Sequence, residues 1–213
     1  MGLYAVNLMG GLLAILTAVG AISSEVEQGT LTTIVVKPLG RWEVVVGKWL
    51  GYGSMLAAYV LGTGGAVVLI VRVLGDYAPP NVLPGLALLA LESLLLLSLT
   101  LAGSTLFAAL TNGIVLLVLY TTAVVGGMVE QIGSLLGSDT MVNIGIVTSL
   151  LVPSDVLWKL ATYLLQANLA GNVAVLGPFA VLSPPSNGMV VYAILYTAAL
   201  LGAASLVFQR KDL

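Results

Sequence analysis

The sequence predicts an all-α protein that crosses a membrane several times. Of its 213 residues, 59% are hydrophobic and only 8% are charged, and the mean hydropathy is +1.11. A soluble domain carries about 45–50% apolar and about 25% charged residues. The few charges cluster, and they leave several apolar runs near the roughly 20 residues that a helix needs to cross a bilayer. These observations exclude a water-soluble globule.

The composition also excludes several classes of function. Seven Lys and Arg against nine Asp and Glu give a net charge of -2, so there is no basic surface to hold nucleic acid. Cysteine and histidine are both absent, which removes disulfides, thiolate and imidazole metal sites, and Ser–His or Cys–His nucleophiles. We therefore predict no catalytic residue, no metal site and no nucleic-acid partner for this chain.

Five apolar runs predict five transmembrane helices within one domain over residues 1–213. The first run is not typical of a cleaved signal, because no cation precedes it and Glu25 and Glu27 follow it at once. The predicted spans lie approximately at residues 3–22, 49–74, 85–110, 113–129 and 189–208.

The cations predict the orientation of these spans, because Lys and Arg near span ends stay on the cytoplasmic side. Five of the seven fall on one face, namely Lys37, Arg41, Lys48, Arg210 and Lys211. This places residues 23–48 and the C-terminus in the cytoplasm, with the protein in the plasma membrane of a prokaryote. By parity Met1 lies outside with no cation to anchor it, so we expect a preceding span to be missing from this chain or its gene model.

Residues 23–48 form the longest polar interruption and hold six of the sixteen charges. After Thr30 as a plausible N-cap, apolar residues recur at helical spacing until the chain reaches Pro38. These apolar residues are Leu31, Ile34 and Val35. Leaving three aliphatic side chains in water forgoes roughly 1.5–3 kcal/mol each. A partner or the lipid surface should therefore cover this short helix.

The same segment resembles the cytoplasmic signature of ABC-2 type ABC transporter permeases, in which a Glu-rich Gly-Thr-Leu stretch precedes a Pro and a Gly-Lys pair. The matching residues run from Ile22 to Leu31 and continue through Pro38, Arg41, Glu43, Gly47 and Lys48. The resemblance implies a coupling segment that docks on a separate ATP-binding subunit. It gives a contact role to Thr30, Leu31, Ile34 and Val35, a polar role to Glu25 and Glu27, and makes Gly29 and Pro38 part of the docking element.

The resemblance also implies a permease that forms one half of a dimeric pore with a second copy or a sister permease. ATP and magnesium would be bound by the partner, and export is the direction expected from the family. The chain has no phosphate-binding loop of its own, because Trp49 follows Gly47-Lys48 where Ser or Thr is needed. The family usually has six spans, whereas five are predicted here. The alternative is a non-transporting scaffold or regulatory subunit that docks an ATPase.

Three ionisable residues lie in or beside the spans, where a charge costs about 2.5–3.5 kcal/mol at a helix centre. They are Arg72, Glu92 and Glu130. We predict that all three share the outer leaflet, that Arg72 pairs with Glu92, and that the cluster lines the outer part of a translocation path. The alternative is a neutralised pair that only joins two helices, with Glu130 reaching the lipid headgroups.

Residues 138–188 are neither a plain loop nor a clear span. An apolar stretch stops at Pro153, and a second amphipathic helix begins near Asp155. We predict external re-entrant or interfacial helices here. The alternative is one kinked span over residues 143–166, but a sixth crossing would move the C-terminal cations outside against the charge rule.

Two pairs of glycines, Gly47 with Gly51 and Gly133 with Gly137, have the G-x-x-x-G spacing that lets helices approach closely. Such spacing also arises by chance in glycine-rich spans, of which this chain with its 25 glycines has several. Ordinary packing within the chain is the simpler interpretation of both pairs.

Overall fold

A computed structural model describes residues 2–27, 40–75, 78–166 and 185–210. Within these ranges the chain forms eight helices and no strand. In chain order they are α1 (Gly2–Ala18), α2 (Ser23–Glu27), α3 (Arg41–Gly75), α4 (Val82–Leu106), α5 (Ala109–Leu136), α6 (Asp139–Leu151), α7 (Ser154–Leu165) and α8 (Asn187–Arg210).

Five helical segments are long and apolar enough to cross a membrane, which confirms the predicted all-α polytopic class. They comprise α1 together with α2 as far as Glu25, and then α3, α4, α5 and α8. Each lies over one of the five predicted spans, although two of the helices extend well beyond the predicted limits.

The third helix starts at Arg41, earlier than the apolar run that begins near Trp49. The Glu43 side chain explains this, because its Oε2 accepts a hydrogen bond from the Gly40 backbone N–H at 3.0 Å. A Glu three residues into a helix that bonds back to the first backbone donor is half of a capping box. The last part of the predicted coupling segment is therefore the first turns of α3.

The fifth helix also exceeds its prediction, since it continues to Leu136 and ends at Gly137. Gly137 has a φ of 66°, and its N–H donates to the carbonyl of Gly133. A left-handed residue at this position closes a helix, and glycine adopts it without strain. The apolar run marked the membrane crossing, whereas this cap marks the end of the helix.

The fourth helix is the centre of the bundle. In its most apolar window 61% of the residues are buried, against 17% for α3 and for α8. Leu95, Leu96, Leu97 and Leu101 on α4 have no exposed surface. The neighbours of α4 include α1, α3, α7 and α8. Of these, α3 and α8 turn much of their own apolar surface outward, as expected of helices that face lipid.

The pair α6 and α7 is bent by 107° at Val152–Pro153. By length the pair would count either as a broken crossing or as a re-entrant hairpin. A bend beyond 90° turns the chain back, and the contacts agree: α6 begins with Met141 against Gly133 near the end of α5, and α7 ends with Leu165 against Gly85 near the start of α4. Both ends of the pair therefore lie at the same end of the bundle.

The deep end of α6 has carbonyl groups that no further turn of helix can satisfy. Two tyrosines of α8 bind them: the Tyr192 hydroxyl donates to the carbonyl of Leu150 at 2.7 Å, and the Tyr196 hydroxyl donates to that of Leu151 at 2.9 Å. Unpaired backbone groups are costly inside a bilayer. This pair of tyrosines makes it possible for a helix to end there.

Candidate coupling site and distal polar cluster

The bundle has two ends that differ in chemistry. We call the end that carries residues 23–27 and 40–48 the coupling end. The opposite end, which carries the start of α1, the end of α5 and the α6–α7 pair, is the distal end.

An ion pair joins the two chain segments of the coupling end. Lys48 Nζ on α3 donates to Glu25 Oε1 on α2 at 2.6 Å, and the two side chains are 18% and 35% exposed. The pair therefore joins α2 to the first turns of α3, on either side of residues 28–39. The partner of Glu25 was not foreseen from the sequence, although both residues belong to the predicted coupling segment.

Two further hydrogen bonds tie this end to the core. Trp49 Nε1 donates to Ser98 Oγ at 2.8 Å. This bond ties the first turns of α3 to the half of α4 that is nearer the coupling end. The buried Asn112 amide donates to the carbonyls of Val19 at 2.9 Å and Thr100 at 3.0 Å. One side chain thereby joins three helical segments, and the coupling end is rigidly attached to the bundle.

Most of the predicted docking residues lie outside the described residues. These are Gly29, Thr30, Leu31, Ile34, Val35 and Pro38. Of the remaining two, Glu25 makes the ion pair just given, and Glu27 is the last residue of α2. Their docking role stays a prediction.

The predicted pair of Arg72 with Glu92 is wrong. Along the antiparallel helices α3 and α4, Gly53 lies against Leu94 and Gly64 against Leu86. Glu92 is therefore level with about residue 56 of α3, and Arg72 lies roughly 16 residues further along, or about 24 Å at 1.5 Å per residue. Arg72 is exposed, whereas Glu92 is 2% exposed. The prediction failed because α3 extends well past the start of α4.

Glu130 belongs instead to an ion triad at the distal end. Lys159 Nζ on α7 lies 2.8 Å from Glu130 Oε2 on α5 and 2.7 Å from Asp155 Oδ2 one turn earlier on α7. The side chains of Lys159 and Asp155 are 4% and 7% exposed. A buried charge needs a partner and hydrogen bonds, and here one ammonium group is shared by two carboxylates. We call Glu130, Asp155 and Lys159 the distal triad.

Glu92 lies beside this triad and has its own partner. With its amide nitrogen facing the carboxylate, the orientation that the surrounding donors and acceptors require, Asn7 on α1 donates to both Glu92 oxygens at 2.9 and 2.5 Å. Glu92, Asn7 and Asp155 line a small chamber of about 30 Å³ together with Tyr120 and Trp158. That volume is about the share of one water molecule in the liquid.

Glycines make the distal cluster possible. The Asp155 carboxylate occupies the space that a Cβ would need at Gly127, and Thr148 occupies that space at Gly126. On the facing helix, Gly145 packs against Glu130. The side chains of α6 and α7 therefore reach directly onto the backbone of α5. The signal in the sequence was the Gly126-Gly127 pair. Of the glycines at G-x-x-x-G spacing, Gly47, Gly51 and Gly137 have open space beside them, whereas Gly133 packs against Met141.

Within the part of the chain that the structure describes, no group of three or more acidic residues is arranged to hold a metal ion. The distal triad has two carboxylates, and its ammonium group already neutralises one of them. The distal cluster is suited to holding helices together and to binding small polar groups.

These features define a membrane protein that is all-helical over the described residues, with α2 and α3 joined by an ion pair on either side of a polar stretch of sequence. A family model described as ABC-2 family transporter protein matches residues 5–213, and the chain belongs to that family. It is similar to two proteins called probable ABC transporter permease protein NosY. The one from Pseudomonas aeruginosa is 41% identical over 66 residues, which are 30% of this chain and 24% of that protein. The one from Stutzerimonas stutzeri is 41% identical over 63 residues, 30% of this chain and 23% of that protein. The chain thus matches about a quarter of the length of each of these curated relatives.

Proposed function

We propose that this chain is a membrane permease subunit of an ATP-driven ABC transporter, and that residues 23–48 receive the motion of a separate ATP-binding subunit. The family match and the names of the two relatives support the transporter assignment. The observation that carries the coupling role is the Glu25–Lys48 ion pair at 2.6 Å. It holds the two ends of the predicted docking segment together.

The geometry of α3 supports this mechanism. The helix has 35 residues, so it is about 52 Å long at 1.5 Å per residue, and it runs from the coupling end past the start of α4. A push on residues 23–48 acts directly on the first turns of α3, which include Lys48. Because α3 is continuous from Arg41 to Gly75, it can carry a displacement of its first turns to the distal end, where the path opens.

In this proposal ATP and magnesium are bound by the partner, and this chain holds no cofactor. The pathway forms between two permease subunits, either two copies or this chain and a sister. Transport runs outward across the plasma membrane, with residues 23–48 on the cytoplasmic side.

The test is retention of a candidate ATP-binding subunit taken from the reading frames that neighbour the gene of this chain. Both proteins are co-expressed, the permease is purified through a tag in mild detergent, and the partner is quantified. The wild-type chain and Leu83→Asp should retain it, since Leu83 is 78% exposed at the start of α4, far from the coupling end. Leu31→Asp should lose it. Retention of the partner by Leu31→Asp and by Ile34→Asp would contradict the docking assignment.

Hydrolysis then distinguishes a permease from a non-transporting scaffold. The purified complex is placed in lipid nanodiscs, and ATP hydrolysis is measured with and without candidate substrates. A permease predicts that a transported compound stimulates hydrolysis. Association with unchanged hydrolysis across all compounds would favour the scaffold.

A further inference from the structure

A second cavity lies at the distal end, on the other side of the ion triad from the Glu92 chamber. Its volume is about 310 Å³, and it lies where α5, α6, α7 and the start of α8 meet. Its polar lining includes Glu130, Lys159 and Ser149, and its apolar lining includes Ile146, Val156 and Met189. The volume is about ten times the roughly 30 Å³ share of one water molecule, so a small organic molecule fits.

The Ser149 hydroxyl, which has no partner among the described residues, indicates that this cavity binds a ligand. Ser149 is 2% exposed, and within the described ranges its Oγ has no hydrogen-bond partner. A buried hydroxyl without a partner costs free energy unless something binds it. The other hydroxyl side chain that lines the cavity, Ser186, is exposed and can bond to water. Ser149 is therefore the hydroxyl that is left for a ligand.

The net charge of the triad indicates whether that ligand is an anion or a cation. Two carboxylates, Glu130 and Asp155, share the single ammonium group of Lys159, so the ionised triad has one negative charge in excess. An anion would meet a cation that is already neutralised. A cation would meet Glu130, which uses only Oε2 towards Lys159 and has a second oxygen to offer.

The chemistry of the lining decides the kind of cation. A bare metal ion would need several oxygen ligands close together, and the described residues provide no acidic cluster of that kind. A primary ammonium group needs fewer acceptors, and its carbon body matches the apolar wall of Ile146, Val156 and Met189.

We propose that this cavity binds a primary ammonium group, with Glu130 and Ser149 as its acceptors and the apolar wall around its carbon chain. Such a group occurs on free alkylamines and on ethanolamine lipid headgroups. The site belongs to one subunit and does not require an ATP-binding partner.

The test uses the full chain in nanodiscs of phosphatidylcholine and n-butylamine hydrochloride as the probe. The midpoint of thermal unfolding is measured against probe concentration, with sodium chloride at equal concentration as the reference. The wild-type chain should show a saturable rise with butylammonium beyond that with sodium. Equal shifts with both salts would overturn the proposal.

Variants then locate the site. Loss of a charge-assisted hydrogen bond should weaken the apparent affinity of Glu130→Gln at least about tenfold, and Ser149→Ala should weaken it about threefold to tenfold. The matched controls are Asp139→Asn, an exposed carboxylate at the same end, and Ser134→Ala, whose hydroxyl bonds within its own helix. Both controls should bind as the wild-type chain does. If Glu130→Gln does not fold, the test rests on Ser149→Ala. A Ser149→Ala variant that binds butylammonium with wild-type affinity would overturn the proposed site.

The source of the ammonium group follows from a change of lipid. In nanodiscs that contain phosphatidylethanolamine, a headgroup ligand would raise the starting midpoint and reduce the response to butylammonium by competition. A site for free amines would respond to butylammonium equally in both lipids. Either result supports the ammonium site, and the difference between them tells whether the ammonium group comes from a lipid headgroup or from a free amine.

Discussion

The two ends of this bundle hold their charges in opposite ways. At the coupling end the Glu25–Lys48 pair is partly exposed, with 18% of the Lys48 side chain and 35% of the Glu25 side chain accessible. At the distal end the Lys159 ammonium is 4% exposed and bound by two carboxylates. Exposed pairs contribute about 0–1 kcal/mol, whereas removing one member of a buried pair costs about 3–5 kcal/mol.

The difference indicates a division of roles. A pair that contributes little to stability can be broken and remade, which suits a segment that moves with a partner. The buried Asp155–Lys159 pair, which packs against the backbone of Gly127 and binds the partly exposed Glu130, holds α5, α6 and α7 in one arrangement. We expect mutations at the distal end to affect folding and mutations at the coupling end to affect coupling.

The largest effect is expected at Lys159. Lys159→Met leaves the buried Asp155 carboxylate and the partly exposed Glu130 carboxylate without a cation, and should lower the free energy of unfolding by about 3–5 kcal/mol. Lys48→Met is the matched control and should cost about 1 kcal/mol or less. Reversible unfolding in mixed micelles measures both. Equal costs for the two lysines would contradict the comparison between the ends.

The next effect is expected at Gly127, where the Asp155 carboxylate already fills the Cβ position. Gly127→Ala must displace that carboxylate, and overpacking of this kind costs about 1–3 kcal/mol. Gly62→Ala is the control, because open space surrounds its Cβ position on α3 and alanine is the better helix former by about 1 kcal/mol. The same unfolding measurement applies, and tolerance of Gly127→Ala would mean that Asp155 is not held against α5.

A candidate docking segment could be predicted from the sequence, whereas the distal triad could not, and the reason is physical. The predicted docking residues lie within one short polar segment, and apolar runs define spans through local hydropathy alone. The distal triad joins Glu130 to residues 25 and 29 positions later, and its formation depends on how α6 and α7 fold back. Asp155 and Lys159 lie in the second helix of the segment predicted as re-entrant or interfacial, but their contact with Glu130 depends on the 107° bend.

Register was the second thing that sequence could not provide. Pairing Arg72 with Glu92 assumed that the end of α3 lies level with the start of α4 at their connecting loop. The position of Gly53 against Leu94 follows from side-chain packing along the whole interface, and a hydropathy profile does not contain it. The caps at Glu43 and Gly137, in contrast, were local signals that could have given the true helix ends.

A smaller effect is expected at the tyrosine cap of α6. Tyr196→Phe removes the donor to the Leu151 carbonyl, and should cost about 1 kcal/mol, in the range of single hydrogen bonds in membrane bundles. Tyr163→Phe on α7, a side chain that is 40% exposed, is the matched control and should be neutral. If the two substitutions cost the same, the hydroxyl of Tyr196 does not support the end of α6.

The smallest effect is expected at Arg72. Because it is exposed and about 24 Å from the level of Glu92 along α3, Arg72→Gln should change the unfolding free energy by about 0.5 kcal/mol or less. Glu92→Gln keeps the shape but alters the hydrogen bonds with Asn7. A double-mutant cycle of the two residues should give no coupling energy. A coupling energy of about 1 kcal/mol or more would show that Arg72 and Glu92 interact after all.

The most direct test of the division between the two ends compares Ile34→Asp with Lys159→Met in one experiment. For each variant, the unfolding midpoint of the isolated chain and the retention of the ATP-binding subunit by the folded fraction are measured. We predict that Ile34→Asp loses the partner with an unchanged midpoint, and that Lys159→Met lowers the midpoint and keeps the partner. Retention of the partner by Ile34→Asp, or its loss from folded Lys159→Met, would contradict the account.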